Sequence, residues 1–485
     1  MSRTNDQAET TSAPQAATAL WRSAGLPEAA LPTLNLPGSQ PVLPSSFAVA
    51  TAAQASIGVA ALAAAELWHW RTGQTRRQQV TVPREHAALE CTGAFKLDGK
   101  PPHVWDKLSG LYPCGADTGA PGWVRIHANF AHHRDGALKL LGCPTGDATE
   151  REAVIQALRR WRAHDVETAA AQAGLVVAAA RSFDEWDAHP QALALAAQDT
   201  VSIERIVGDD VPDAAPLAWP ALTDHARPLQ GLRVLDLTRI LAGPVAGRTL
   251  AGHGADVMLV NSPKLPNIDA IADTSRGKLS THIDLRSAMG QAQLQTLAQA
   301  AHVFLQAYRP GGLADLGWSP QALARLRPGI VVVSLSAYGP HGPWAQRRGF
   351  DSLVQTATGF NMAEADAAGA PEPKAMPLQI LDYAAGHLLA FGAQAALWRQ
   401  AREGGSWHVQ VSLAGVGRWL RGLGRVPDGL NAVRPDMKPY MVEEASGFGQ
   451  LLAMRHAASL SHTPPHWDRP SMPPGTHPPV WPSPR

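Results

Sequence analysis

Between residues 232 and 336, apolar runs of strand length alternate with amphipathic runs of helix length. LRVLDL (232–237), DVMLV (256–260), HVFLQ (302–306) and GIVVVSLS (329–336) read as strands. PVAGRTLAGHG (244–254), SAMGQAQLQTLAQAA (287–301) and SPQALARLR (319–327) read as helices. Pro244 suits a first helical turn, and Ser319 ahead of Pro320 suits an N-cap. The nearly continuous apolar run at 329–336 is what a parallel strand buried on both faces requires. Strand–helix–strand repetition at this spacing gives an α/β fold, an open doubly wound parallel sheet of Rossmann-like type. Ligands of such sheets bind at the carboxyl ends of the strands. The loops 238–244, 261–267, 307–312 and 337–344 are therefore where a site is expected.

The rest of the chain is organised around that block. Residues 1–17 are polar and are expected to be disordered. Residues 18–205 hold an Ala-rich helix (VAALAAAELWHW, 59–70), a strand GWVRIHANF (122–130) and helices over 151–164 and 166–175, which together suggest a smaller α+β domain. Residues 206–228 carry four prolines and read as a linker, and the block itself spans 229–425. Residues 426–485 are Pro-rich and suit an extended arm rather than a helix or central strand. One internal echo stands out. Residues 58–82 and 386–411 each run from an Ala-rich helix ending in Leu-Trp, through a polar Gly turn, to a V-x-V strand. Leu67-Trp68 then aligns with Leu397-Trp398, and Asp382 aligns with Ala52.

Composition excludes several classes. With 42 Lys+Arg against 41 Asp+Glu the net charge is +1, so no global basic field invites nucleic acid or acidic lipid. Three cysteines in 485 residues, none in a C-x-x-C pair, make neither a disulfide framework nor a zinc ribbon. The first twenty residues lack an apolar core like that of a secretory signal, and the stretch from Val49 to Leu67 reads as a buried helix rather than a membrane span. A cytoplasmic location is expected. Neither G-x-G-x-x-G after a strand nor G-x-x-x-x-G-K-[ST] occurs, so dinucleotide and nucleoside triphosphate fingerprints are missing. His127, His132 and His133 do not share one helix face, and no metal is expected.

Asp382 opens the second Ala-rich helix. It has a structural reading, as an N-cap satisfying free N–H groups, and a chemical one, as a nucleophile.

Five segments in order resemble class III CoA-transferases, the CaiB/BaiF family that includes formyl-CoA and carnitine CoA-transferases. They are LRVLDLTRILAGPVAGRTLAGHGADVMLV (232–260), RGKLSTHIDL (276–285), YRPGGLADLGW (308–318), IVVVSLSAYGPHGPWAQRRGFD (330–351) and PLQILDYAAGHLLAFGAQAALW (377–398). ALAAAELWHWRTGQTRRQQVTV (61–82), the stretch 110–143 and RSFDEWDAHPQ (181–191) resemble the back half of the same family, so a back half precedes a front half. That order reads as a trimmed tandem duplication or a permutation.

The resemblance implies that Asp382 attacks an acyl-CoA thioester and that CoA passes to a carboxylic acid through an aspartyl anhydride and an aspartyl-CoA thioester. A carboxylate ionised at neutral pH suits that role. Coenzyme A would be substrate and product, with no prosthetic group. Ile240, Leu241, Lys278, Tyr308, Arg309 and Arg276 would line its site, with Arg239 and Lys264 as further cations on the right loops. The partners implied are an acyl-CoA and a small carboxylic acid, with no nucleic acid and no membrane. A homodimer is implied too, intertwined in family members. Two departures from the family pattern stand out: Asn261-Ser262-Pro263-Lys264 where many members have Glu then a basic residue, and the acidic Asp315 where some have Arg. The related acyl-CoA racemases carry G-H-D where this chain has Gly349-Phe350-Asp351; a benzene ring cannot exchange a proton, which favours transfer over racemisation. A racemase-like enzyme and a non-catalytic CoA-binding subunit are the alternatives.

Overall fold

A computed structural model of the chain describes residues 10–219 and 221–483. Its centre is a seven-stranded sheet. Six strands are parallel: Arg233–Leu237, Asp256–Asn261, Lys278–His282, Val303–Gln306, Val331–Ser336 and Trp407–Ser412. Numbered along the chain they lie in the order 3-2-1-4-5-6, and Ser202–Arg205 joins the last one antiparallel. Successive side chains on a strand face opposite sides. Here Val234, Val257, Val303 and Val331 enter one core, while Leu235, Met258, Phe304 and Val332 enter another. Helices cover both faces, which is why these strands read as apolar runs rather than as alternation.

The helix Ile380–Glu403 follows the fifth strand and packs on Ala242–Gly252, the helix that follows the first. Approach is close because Gly386 presents no side chain: a Cβ there would lie 2.6 Å from the Ala242 carbonyl. On its other side runs Val49–Thr72, an Ala-rich helix buried along almost its whole length. That helix is long and apolar enough to cross a bilayer, yet the protein encloses it. Gln394 Nε2 donates to the Ala60 carbonyl at 3.0 Å, joining the two halves of the sequence echo.

A small antiparallel sheet of Gly110–Cys114, Gly122–Ile126 and Val177–Ala179 carries its own core, with helices Ala131–Leu141 and Ala163–Gln172 beside it. Helix Asp351–Ala357 packs against two of its strands, and so ties it to the main sheet.

Several boundaries differ from the expectation. Residues 1–9 lie outside the described residues, but the remainder of the supposedly disordered start is not loose. Ser12 and Gln15 form a reciprocal cap for helix Ala13–Ser23, which buries Ala13, Ala16 and Ala17. The stretch 206–228 carries no helix or strand among its described residues, yet it does not separate independent bodies: Ser202–Arg205 completes the main sheet and Val49–Thr72 packs on the second half. The C-terminal arm contains a hairpin, Met441–Ser446 with Gly449–Met454, which takes Phe95–Leu97 as a third strand. Beyond it the Pro-rich tail runs beside the edge strand Lys278–His282, where His477 N–H donates to the Ser280 carbonyl at 2.8 Å. An edge covered this way offers no free ladder.

Candidate active site

One cavity, of about 420 Å³, opens at the carboxyl ends of the central strands. In a sheet of this order the chain reverses direction between the first and fourth strands, and a crevice is left there. The loops after those strands form its walls. Ile240 and Leu241 come from the first, Tyr308 and Arg309 from the fourth, and Asp382 reaches it from the long helix.

The Ile240 loop is held by a buried polar network. Asp236 Oδ1 accepts from Thr238 N–H at 3.0 Å and from the Thr238 hydroxyl at 2.5 Å. Its other oxygen, Oδ2, accepts from Lys278 Nζ at 2.9 Å, and that ammonium also donates to the Pro244 carbonyl at 2.8 Å. Ile240 itself has φ = 77°, a left-handed conformation that costs a β-branched residue of the order of 1–3 kcal/mol. Such strain persists only where the surroundings enforce it, here at the lip of the cavity.

Asp382 is the third residue of its helix and not its N-cap, a position filled by Gln379 with no side-chain hydrogen bond. Asp351 does the capping. Its Oδ2 accepts the Asp382 N–H at 2.9 Å, while Oδ1 accepts from Gln355 Nε2 at 2.5 Å. No hydrogen bond among the described residues engages the Asp382 carboxylate, which is left facing the cavity. Burial, and then the charge of Asp351, push the Asp382 carboxyl well above the usual range. Asp351 is pushed up to about 7 by burial, against the N–H donors that favour its charge. The freely ionised carboxylate expected at position 382 is thus disfavoured by its surroundings: burial raises both carboxyls, and the charge of Asp351 adds to the cost of charging Asp382.

Of the cations expected to hold CoA phosphates, Arg309 and Arg239 line the cavity. Lys278 and Arg276 do not. Lys278 is fully buried on Asp236, and Arg276 is fully buried against Asp273 and the Met454 carbonyl, where it donates at 2.9 Å. Both already neutralise an interior carboxylate, so neither can meet a phosphate without leaving a buried charge unpaired. Lys264 lies outside the cavity wall and pairs with Asp284 at 2.7 Å. Tyr338 is buried beneath Trp344, with ring centroids 4.9 Å apart, and anchors its loop.

The small sheet's side of the wall escaped the sequence reading. Phe130, His132 and His133 line the cavity together with Arg347, Arg348 and Phe350. His127 stacks on Phe350 at 3.9 Å, and His133 lies 6.1 Å from the same ring. Among the described residues no group of side chains suits a metal ion. Asp382 is the one acid among the lining residues described.

The pattern of CoA-transferase family III matches residues 229–423. An acyl-CoA transferase of Gibberella moniliformis is 30% identical over 426 residues, which span 80% of this chain and 73% of that protein. The chain belongs to CoA-transferase family III. The family match covers the sheet strands of the second half, the Ile240 loop and the Asp382 helix, whereas the Gibberella relative extends the likeness into the first half. A probable fatty acyl-CoA transferase of Mycobacterium tuberculosis is 36% identical over 208 residues, 40% of this chain and 52% of that protein. A succinate–glutarate CoA-transferase of Agrobacterium fabrum is 31% identical over 249 residues, 46% of this chain and 62% of that protein. The chain thus spans between half and two thirds of these two relatives. A solved CaiB/BaiF family protein of Brucella suis is 27% identical, with a TM-score of 0.37 over 46% of this chain and 65% of that one.

Proposed function

We propose that the protein moves CoA from an acyl-CoA thioester to a carboxylic acid, with Asp382 as nucleophile. The observation that carries this reading is the Asp382 carboxylate, which has no hydrogen-bond donor of its own among the described residues while its backbone N–H is held by Asp351. A capping role would have engaged the carboxylate with the helix; instead it projects into the cavity.

The chemistry balances without an external base. The Asp382 carboxylate adds to the thioester carbonyl, and the C–S bond breaks to release the CoA thiolate and leave an acyl-aspartyl anhydride. The thiolate attacks the aspartyl carbonyl, expelling the first acid as its carboxylate and leaving an aspartyl-CoA thioester. The incoming carboxylate adds to that thioester and again frees the thiolate, now beside a new mixed anhydride. Attack of the thiolate on the acceptor's acyl carbon restores Asp382 and yields the new acyl-CoA. A desolvated carboxylate is a stronger nucleophile than a hydrated one, so the burial that raises its proton affinity also serves the attack once the proton has left.

CoA enters along the Rossmann-like crevice that the strand order 3-2-1-4-5-6 supports. Arg309 and Tyr308 lie on its wall, and the strained Ile240–Leu241 backbone leads into a helix with no side-chain cap, a setting that favours negative charge. Phe350 supplies no proton acceptor in the racemase position and is stacked on His127. The two halves of the echo fit a duplication in which Ala52 replaces the nucleophile of the first copy and Asp382 alone retains it. Residues of both halves of the chain line that one cavity.

The test is transfer itself. Incubated with acyl-CoA donors and free carboxylic acids, the protein should form new acyl-CoA thioesters, and Asp382→Ala should form none. CoA binding without transfer for any donor–acceptor pair would instead identify a binding subunit.

A further inference from the structure

The strand Gly122–Ile126 sends its side chains two ways. Val124 and Ile126 enter the core of the small sheet. Arg125 lies between them and so takes the other side. His127 shares that side and stacks at 3.9 Å on Phe350, the residue just before helix Asp351–Ala357. That helix packs on the strand, so Arg125 is enclosed between sheet and helix and only 7% exposed. Its Cζ lies 5.4 Å from the centroid of the Trp105 ring, and the guanidinium makes no hydrogen bond among the described residues.

A cation buried without a counter-charge is costly, and helix Asp351–Ala357 offers just one. Asp351 is its sole ionisable side chain and is fully buried. The other charged groups on the elements packed around that helix are engaged elsewhere. Arg181 pairs with Glu167, Arg421 with Asp187 at 2.7 Å, and Arg418 with the Ala196 and Gln198 carbonyls. Glu364 accepts from Ser46 N–H at 3.1 Å, and Asp366 is exposed. His127 is neutral, pushed down to about 3 by burial and by the charges of His133 and Arg125. Asp382 remains, and it is an anion or an acid. Burial pushes the Asp351 carboxyl up, while the Asp382 N–H, Gln355 and the charge of Arg125 oppose that rise.

We infer that Arg125 is the counter-charge of Asp351 and, through it, a positioning residue for the nucleophile Asp382. This rests on the transferase reading above. In that reaction Asp382 alternates between a carboxylate and neutral acyl forms, while Asp351 holds the backbone of its helix throughout. A cation paired with Asp351 keeps that acceptor ionised and lowers the cost of a second negative charge beside it. The small sheet then shapes the reaction without touching substrate.

The pH dependence of transfer tests this. Without the cation both carboxyls are harder to ionise. Arg125→Gln should therefore move the acid limb of kcat/KM to higher pH, a loss of about tenfold on the limb that shrinks as pH rises. Arg125→Lys keeps the charge and should recover most of it. In an Asp351→Asn background Arg125→Gln should move the limb no further. A loss uniform across pH would mark Arg125 as packing alone, and an equal shift in the Asp351→Asn background would show that it does not act through Asp351; either overturns the inference. If no acid accepts CoA, the transferase reading has failed on its own, and urea unfolding still decides the pairing. The stability deficit of Arg125→Gln should grow from pH 4 to pH 8, and should not grow in the Asp351→Asn background; a deficit independent of pH refutes the pairing. Should Arg125→Gln alone fail to fold, its folding in the Asp351→Asn background supports the pairing and its failure there overturns it.

Discussion

The Oδ2 atom of Asp351 accepts the backbone N–H of Asp382 at 2.9 Å, so one carboxylate caps the helix that carries the other. The pair is coupled in two senses. Asp351 fixes where Asp382 sits, and its charge, together with burial, makes Asp382 harder to ionise.

The pH–rate profile should report that coupling. In the proposed mechanism transfer requires the Asp382 anion, so kcat/KM should rise with pH along an acid limb lying above the ordinary carboxylate range, set by the pair rather than by either residue. Asp351→Asn keeps an oxygen for the cap and removes the charge. Its acid limb should move to lower pH, and a limb that stays in place would show that Asp351 exerts no electrostatic effect on the nucleophile.

Stability should depend on pH with the opposite sign to a salt-bridged carboxylate. Both folded-state values are raised, so the folded protein binds more protons than the unfolded chain. Their contribution is largest below the unfolded carboxylate value near 4 and is lost as pH rises toward the folded values. Asp382→Asn should therefore be more stable than the wild type at pH 8, by on the order of 1–2 kcal/mol, and close to it at pH 4. Urea unfolding at the two pH values measures this.

Lys278 should behave as a core residue. Lys278→Met leaves Asp236 charged and buried with no counter-ion, at a cost of about 3–5 kcal/mol. Gly247→Ala reaches the same network from outside, because its Cβ would lie 2.3 Å from Asp236 Oδ2 and 2.8 Å from Lys278 Nζ. Both should lower Tm, and in the alanine variant, if it folds, the KM for acyl-CoA should change through the displaced Ile240 loop. A Lys278→Met protein of wild-type stability with a raised KM alone would restore Lys278 to the CoA site.

Gly386→Ala should separate the two helices that frame the cavity. The added carbon meets the Ala242 carbonyl at 2.6 Å and Val245 at 2.7 Å, backbone and branched side chain that cannot swing aside. Overpacking of this kind costs about 1–3 kcal/mol. Because Asp382 and Leu241 lie on opposite sides of that contact, kcat should fall by more than the loss of stability explains, which thermal unfolding and turnover of the same sample will show.

The strands of the second half were legible because each is buried on both faces and so reads as an apolar run; Val331–Ser336 is the plainest case. The loops that bear Ile240, Tyr308 and Arg309 followed from the strand ends, whereas the choice of Asp382 came from the family resemblance, since its place at the start of an Ala-rich helix pointed equally to a cap. Three things were out of reach. A basic residue on a crevice loop looks the same whether it faces ligand or core, and only the fold reveals Asp236 and Asp273 beneath Lys278 and Arg276. Asp351 lies 31 residues from Asp382, so its capping of that helix is a tertiary contact with no local signature. His133 and Arg348 meet at the cavity from stretches of the chain more than two hundred positions apart, brought together by helix Asp351–Ala357 packing on the small sheet. The hairpin at Met441–Ser446 was legible in principle: its partner Gly449–Met454 follows a two-residue turn containing Gly447.

The proposed mechanism passes through a covalent bond between Asp382 and its substrates, and trapping that bond tests it most directly. The protein is incubated with acyl-CoA donors, reduced with borohydride, and the peptide containing Asp382 is mapped by mass spectrometry beside Asp382→Ala. Reduction of an aspartyl thioester at position 382 to the alcohol is expected, dependent on donor and absent from the variant. New acyl-CoA formed at full rate by Asp382→Ala, or an adduct on another residue, would contradict it.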